Sequence, residues 1–234
     1  MTRRTMTIAS ALLLAAMFAS ALWVGAALPA DARLPIHWNA AGLADRHADK
    51  WTALLMLPAT AGATALLFFF LPALEPRARG LARSQGLYLA GWAGTLIVLG
   101  LAHVAVLAAA FGADLAVPRL LMAGIGLLFL LIGNQLGKSR SMYMVGIRTP
   151  WTLASEEVWI RTHRLGGRLM VAMGFVLVLI AAFDVALSVA VPVMLVGVAL
   201  IVLVPVIYSF LLWRGEKVRT AENAQSSANR STDE

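Results

Sequence analysis

The sequence predicts an all-α, polytopic membrane helical bundle with six transmembrane helices and both termini in the cytoplasm. Three observations predict it. First, 60% of the 234 residues are apolar and only 13% charged, against about 45–50% and about 25% in soluble domains. One core of this length buries about three-quarters of its surface at best, so the excess apolar surface has to face lipid. Second, the chain holds six stretches long enough to cross a hydrocarbon layer of about 30 Å, which takes about 20 apolar residues in a helix. Third, the basic residues sort to alternate loops.

The spans are expected at 6–28, 51–74, 85–111, 117–136, 168–187 and 189–213. Lipid offers no partner to an open backbone group, so each must be helical. Arg3 and Arg4 before the first span resemble the start of a secretory signal. Its apolar run of 23 residues exceeds the roughly 7–15 of a signal core, which favours a retained span. Pro58, Pro192 and Pro205 lie at or inside spans, and Pro205 is expected to kink the last one. Small residues recur as Ala90-x-x-x-Gly94 and Ala123-Gly124-x-Gly126, which suits close helix packing. Asp114 and Asp184 fall at the outer ends of spans three and five.

Only Arg33, Arg46, Lys50 and Arg119 occupy one set of loops, and the other 15 of the 19 basic residues occupy the opposite set and the termini. The positive-inside rule places that richer set in the cytoplasm. It also accounts for the formal charge of +7, so no direct nucleic-acid partner is expected. The chain has no cysteine, which excludes disulfides and thiol chemistry. The chain divides into 1–74, the first two spans with an outer loop; 75–221, a four-span region; and 222–234, a polar tail expected to be disordered.

Two loops carry more polar residues than topology requires. The outer one reads Leu34-Pro-Ile-His-Trp-Asn-Ala-Ala-Gly and continues to Trp51. Pro35 sets an extended entry, and Asn39 and Gly42 bracket a turn. Trp38 and Trp51 suit either an aromatic belt at the membrane boundary or the capture of an apolar ligand. His37, Trp38, Asn39, Gly42 and Trp51 are the ligand-binding candidates. His37, Asp45, His47 and Asp49 are metal-ligand types, but their spacing matches no ligand pattern and no metal or other cofactor is expected.

The inner loop, 134–168, contains a turn or helix start at Thr149-Pro150 and an N-cap at Ser155 with Glu156 and Glu157 in the first turn. Val158, Trp159, Thr162, His163 and Gly166 then share one helical face, opposite Arg161, Arg164 and Arg168. Such a helix suits either the lipid interface, with its basic side toward anionic head groups, or docking of a partner. Asn134, Arg140, Arg148, Thr149, Pro150, Trp151, Glu156, Trp159, His163 and Arg164 are the partner-binding candidates. His103, inside span three, is either a satisfied histidine between helices or a substrate or proton-path residue. No nucleophile–base pair, HExxH element or phosphate loop is present, so an enzyme is not expected.

The inner stretch Asn134-x-x-Gly-Lys-x-Arg, Gly146-Ile-Arg-Thr-Pro-Trp-Thr-Leu, Ser155-Glu-Glu-Val-Trp, Thr162-His-Arg and Gly167 resembles the signature of the SdpI family of bacterial integral membrane immunity proteins. Ser141 departs from it where Pro or Asn is expected. The outer Leu-Pro-Ile-His-Trp-Asn stretch is similar to a module that often precedes that region. The resemblance implies a multi-pass protein of the bacterial cytoplasmic (inner) membrane that protects against an extracellular peptide toxin. It also implies that the occupied receptor holds a cytoplasmic transcriptional repressor at the membrane. The alternative is a small-solute or ion transporter using His103.

Overall fold

The computed structural model describes residues 2–39, 41–113 and 115–232, of which 221–232 by backbone alone; Asp114 thus lies outside the described residues. Helix α1 (Arg3–Ala27) leads into a hairpin of β1 (Arg33–Trp38) and β2 (Ala44–Asp49), then α2 (Lys50–Leu74) and the short α3 (Ala78–Arg83). There follow α4 (Gln85–Ala110), α5 (Val117–Leu136), the short α6 (Pro150–Ala154), α7 (Glu156–Ala182) and α8 (Leu187–Thr232). Helices α1, α2, α4, α5, α7 and α8 are the six long and apolar enough to cross a membrane. Their alternation puts the hairpin at one end of the bundle, here the hairpin face. The helix ends nearest both chain termini, with the 137–155 loop, lie at the other, the terminal face.

Local chemistry sets the helix starts. Thr2 accepts the Thr5 N–H, Asp49 accepts those of Trp51 and Thr52, and Ser155 accepts that of Val158, each satisfying donors that a first turn leaves open. Thr149 and Thr152 form a reciprocal capping box around Pro150, which suits a position where no N–H is needed.

The structure corrects the sequence expectation in three places. The outer loop is not irregular: β1 and β2 pair antiparallel from Arg33↔Asp49 to Trp38↔Ala44. Leu34 packs with Val24, Ala53, Leu54 and Val106, so the hairpin is fastened to the bundle by one strand face. Second, the inner amphipathic helix and span five are one helix, α7. Gly167, where the two join, is a contact point: a Cβ there would lie 2.7 Å from the Gly133 carbonyl oxygen. Third, α8, with Pro205 inside it, continues through the polar tail to Thr232, because no Gly or Pro follows Gly215 to stop it.

Glycines set how closely α5 and α7 approach. A Cβ on Gly133 would lie 2.8 Å from the Gly167 carbonyl oxygen, and one on Gly174 would lie 2.8 Å from that of Gly126. Both pairs are seven residues apart on their helix, two turns along one face. Without an aqueous driving force, such backbone proximity is what holds membrane helices together. Gly94 and Gly124 act similarly between α4 and α5, meeting Leu128 and Leu101. We expect Gly133→Val to lower stability by about 1–3 kcal/mol through overpacking, measured by thermal unfolding in detergent. Gly215→Ala, where a Cβ meets nothing within 4 Å, should leave stability unchanged or raise it.

Candidate functional site

On the hairpin face, β1 roofs a cavity of about 480 Å³ between α2, α4, α5 and α8. Ile36, His37, Trp38 and Asn39 form one wall; Met56 and Leu57 of α2, Ala105 of α4, Leu121 of α5 and Met194 of α8 form others. The walls are mainly apolar, with polar groups confined to the hairpin edge, the pattern of a small-ligand pocket.

His37 and Asp45 face each other across the hairpin, Nδ1 to Oδ1, at 2.5 Å. With Nδ1 engaged, Nε2 is left to meet a ligand. Asn39 builds the turn: its Oδ1 accepts the Ala41 and Leu43 N–H groups at 2.9 and 3.1 Å, and Gly42 takes φ 82°, a left-handed conformation that glycine adopts without strain. Three outer candidates, His37, Trp38 and Asn39, therefore meet at the cavity. Gly42 lines a neighbouring recess with Arg119 and Asp184, which pair with each other. Trp51 lies elsewhere, its ring against Gly25 of α1, so it fastens α2 to α1 rather than lining the cavity. Asp49 is committed to capping α2, and among the described residues no three His, Asp or Glu side chains converge as metal ligands.

His103 is 2% exposed and joins α4 to α1 through Ser20, 3.1 Å from Nε2, whose hydroxyl donates to the Met17 carbonyl. It does not line the cavity, although Ala102 and Ala105 beside it do. Its geometry is that of a tie between helices.

On the terminal face the inner loop is a folded unit. Glu75, which ends α2 and is 5% exposed, accepts the N–H groups of Arg77 (2.8 Å), Tyr143 (3.0 Å) and Met144 (2.7 Å). Arg77 donates to Ser141 Oγ and to the Leu153 carbonyl and lies over the Tyr143 ring, 4.7 Å from its centroid. Gly80 of α3 abuts the Ser141 carbonyl so closely that no Cβ fits. Sequence reasoning missed Glu75 and Arg77; an acid directly after an apolar span was their one local signal.

The inner candidates separate under this geometry. Trp159 and His163 are fully buried, stacked at 3.9 Å between centroids, so they are not a docking surface. His163 Nε2 accepts the Ile147 N–H at 2.9 Å and Nδ1 meets the Trp159 carbonyl at 2.8 Å, which assigns a neutral ring protonated on Nδ1. Gly146, at φ 118°, passes where a Cβ would be 2.7 Å from that Nε2. Thr149 is buried as a cap, Pro150 begins α6, and Trp151 donates to Ser209 of α8. Arg140 and Glu156 face each other at 3.8 Å on a cleft of about 650 Å³ that also holds Arg79 and Arg83. Arg148 is exposed and donates to the Tyr143 carbonyl. Asn134 and Arg164 are exposed on a different groove.

Six apolar helices with a roofed pocket on one face and a folded basic loop on the other define a multi-pass membrane protein. Residues 138–209 match the SdpI/YfhL protein family, and residues 12–62 match a domain of unknown function, DUF1648. The chain is 26% identical over 107 residues to Immunity protein SdpI of Bacillus subtilis (strain 168), covering 46% of this chain and 52% of that protein. The match spans about half the length of that curated relative. No solved structure matches the chain.

The hydrogen bond from His37 holds the Asp45 carboxyl below its ordinary value of 3.8. A carboxyl lowered in the folded state contributes stability that is present above its unfolded value and lost as pH falls through the folded one. Carbon NMR should therefore show Asp45 titrating below its ordinary value, and His37→Ala should raise it back toward that value.

Proposed function

We propose that this protein is a membrane immunity receptor whose cavity beneath the hairpin takes an apolar segment of an extracellular peptide toxin. The cavity carries the reading: it is apolar, edged by His37 and Asn39, and lies beneath the face poor in basic residues, which the positive-inside rule makes extracellular. Its volume of about 480 Å³ falls in the range of roughly 300–1,000 Å³ typical of ligand pockets. That suits a few side chains of a peptide rather than a whole chain. Trp38 offers a rigid apolar surface and His37 Nε2 a directional hydrogen bond. The match to an immunity protein supports the same reading.

Helix α2 supplies a physical route for relay. Its N-terminal half lines the cavity through Met56 and Leu57, and it ends about 28 Å away by helix rise at Glu75, which holds the inner loop. A ligand that shifts α2 biases the loop only if it binds two arrangements of the bundle unequally. The cleft between Arg79, Arg83 and Arg140 is the face left open for a cytoplasmic regulator, in place of the buried Trp159 and His163.

The test is survival of a peptide-sensitive bacterium expressing the protein and exposed to the killing peptide. The wild type should protect. Ala102→Phe, which fills the cavity without touching the hairpin, and His37→Ala should each lose protection while membrane insertion is unchanged. Retained protection by both variants would overturn the assignment of the cavity.

A further inference from the structure

The crossing of α5 and α7 leaves a notch of about 440 Å³ on the terminal face that the receptor reading does not use. Gly133 and Gly167 bring the two backbones together there, and Gly137 meets the Arg164 backbone, where a Cβ would be 3.2 Å from its Cα. Asn134, Lys138, Arg164 and Arg168 line the upper part, and Val171 and Ala172 the lower part. No acid lines it. The acids that begin α7 are engaged elsewhere, Glu156 facing Arg140 and Glu157 facing Arg161. Among the described residues the side chains of Lys138, Arg164 and Arg168 all lack an acidic partner, and all three are exposed.

Arg164 and Arg168 are four residues apart and so share one helix face, while Lys138 lies just past the last turn of α5. Three cations and an amide thus stand above apolar wall, at the depth where helix gives way to loop. We propose that this notch binds the phosphate of an anionic phospholipid from the adjoining leaflet, with an acyl chain lying along Val171 and Ala172 in the α5–α7 groove. Charge complementarity selects an anion, and the apolar floor selects a lipid over a free ion. The site would also brace the α5–α7 crossing beside the inner loop.

The experiment uses the full chain in nanodiscs of phosphatidylcholine alone or mixed with phosphatidylglycerol. Lipid retained after transfer to detergent is counted by native mass spectrometry. The wild type should retain phosphatidylglycerol selectively. Each neutralised cation should weaken binding about fivefold, so Arg164→Gln with Arg168→Gln should weaken it about 25-fold on the same basis. The doubly substituted Lys variant, which keeps both charges, should retain most of the binding. Arg214→Gln, an exposed charge of α8 outside the notch, should bind as the wild type does. Equal loss in Arg214→Gln and the double Gln variant would overturn the proposal, leaving only a diffuse surface charge. Thermal stabilisation in phosphatidylcholine by inorganic phosphate, equal to that from phosphatidylglycerol, would overturn the lipid assignment in favour of a free anion.

Discussion

The Glu75 carboxyl is the interaction on which the terminal face depends. A carboxyl buried at the end of an apolar helix is costly unless its oxygens are satisfied. Here three backbone N–H groups satisfy it, two of them from the loop 68 and 69 residues further along the chain. The dependence runs both ways. Tyr143 and Met144 lie in a stretch without regular structure, and a buried backbone N–H without a partner costs about 1–3 kcal/mol. The loop therefore holds its shape because α2 ends on an acid, and α2 ends without fraying because the loop closes over it. Arg77 extends the contact through Ser141, Tyr143 and Leu153, and the stacked Trp159 and His163 fix the loop from below.

Two different kinds of joint follow. The α5–α7 contact is made of backbone against backbone through glycine and has little room to vary. The contacts of the hairpin half are made by side chains, such as Trp51 against Gly25 and Leu34 among Val24 and Leu54. Motion at the cavity is thus more easily accommodated by α1, the hairpin and α2 than by α5 and α7. Since α2 carries both a cavity wall and the Glu75 contact, it is the element through which the proposed relay would run.

Local and periodic signals were legible in the sequence. Six spans, the Asn39–Gly42 turn, the cap at Ser155, and the shared face of Val158, Trp159, Thr162 and His163 all follow from spacing within a few residues. The use of that face did not follow. Periodicity places Trp159 and His163 together, but only the course of the loop through Gly146 and Ile147 decides that they are buried rather than offered to a partner. The hairpin was hidden because only Leu34 in it is fully buried, so β2 carries little apolar alternation. The contact role of Gly167 was hidden because its partner, Gly133, is remote in sequence. The Glu75 contact was illegible for the same reason: its acceptors and donors belong to segments that only tertiary structure brings together. His37 and Trp38 stand out in sequence by type, and the cavity they face is a property of four helices at once.

The most direct test of this account is hydrogen–deuterium exchange of the loop amides in nanodiscs, comparing wild type with Glu75→Ala. The account predicts that Tyr143 and Met144 exchange roughly tenfold faster or more in the variant, as expected when bonds of this strength are lost, while the amides of α5 and α7 are unchanged. Unaltered protection at Tyr143 and Met144 would contradict it, and would mean that the loop is held by the Trp159–His163 stack alone and that α2 has no grip on the terminal face.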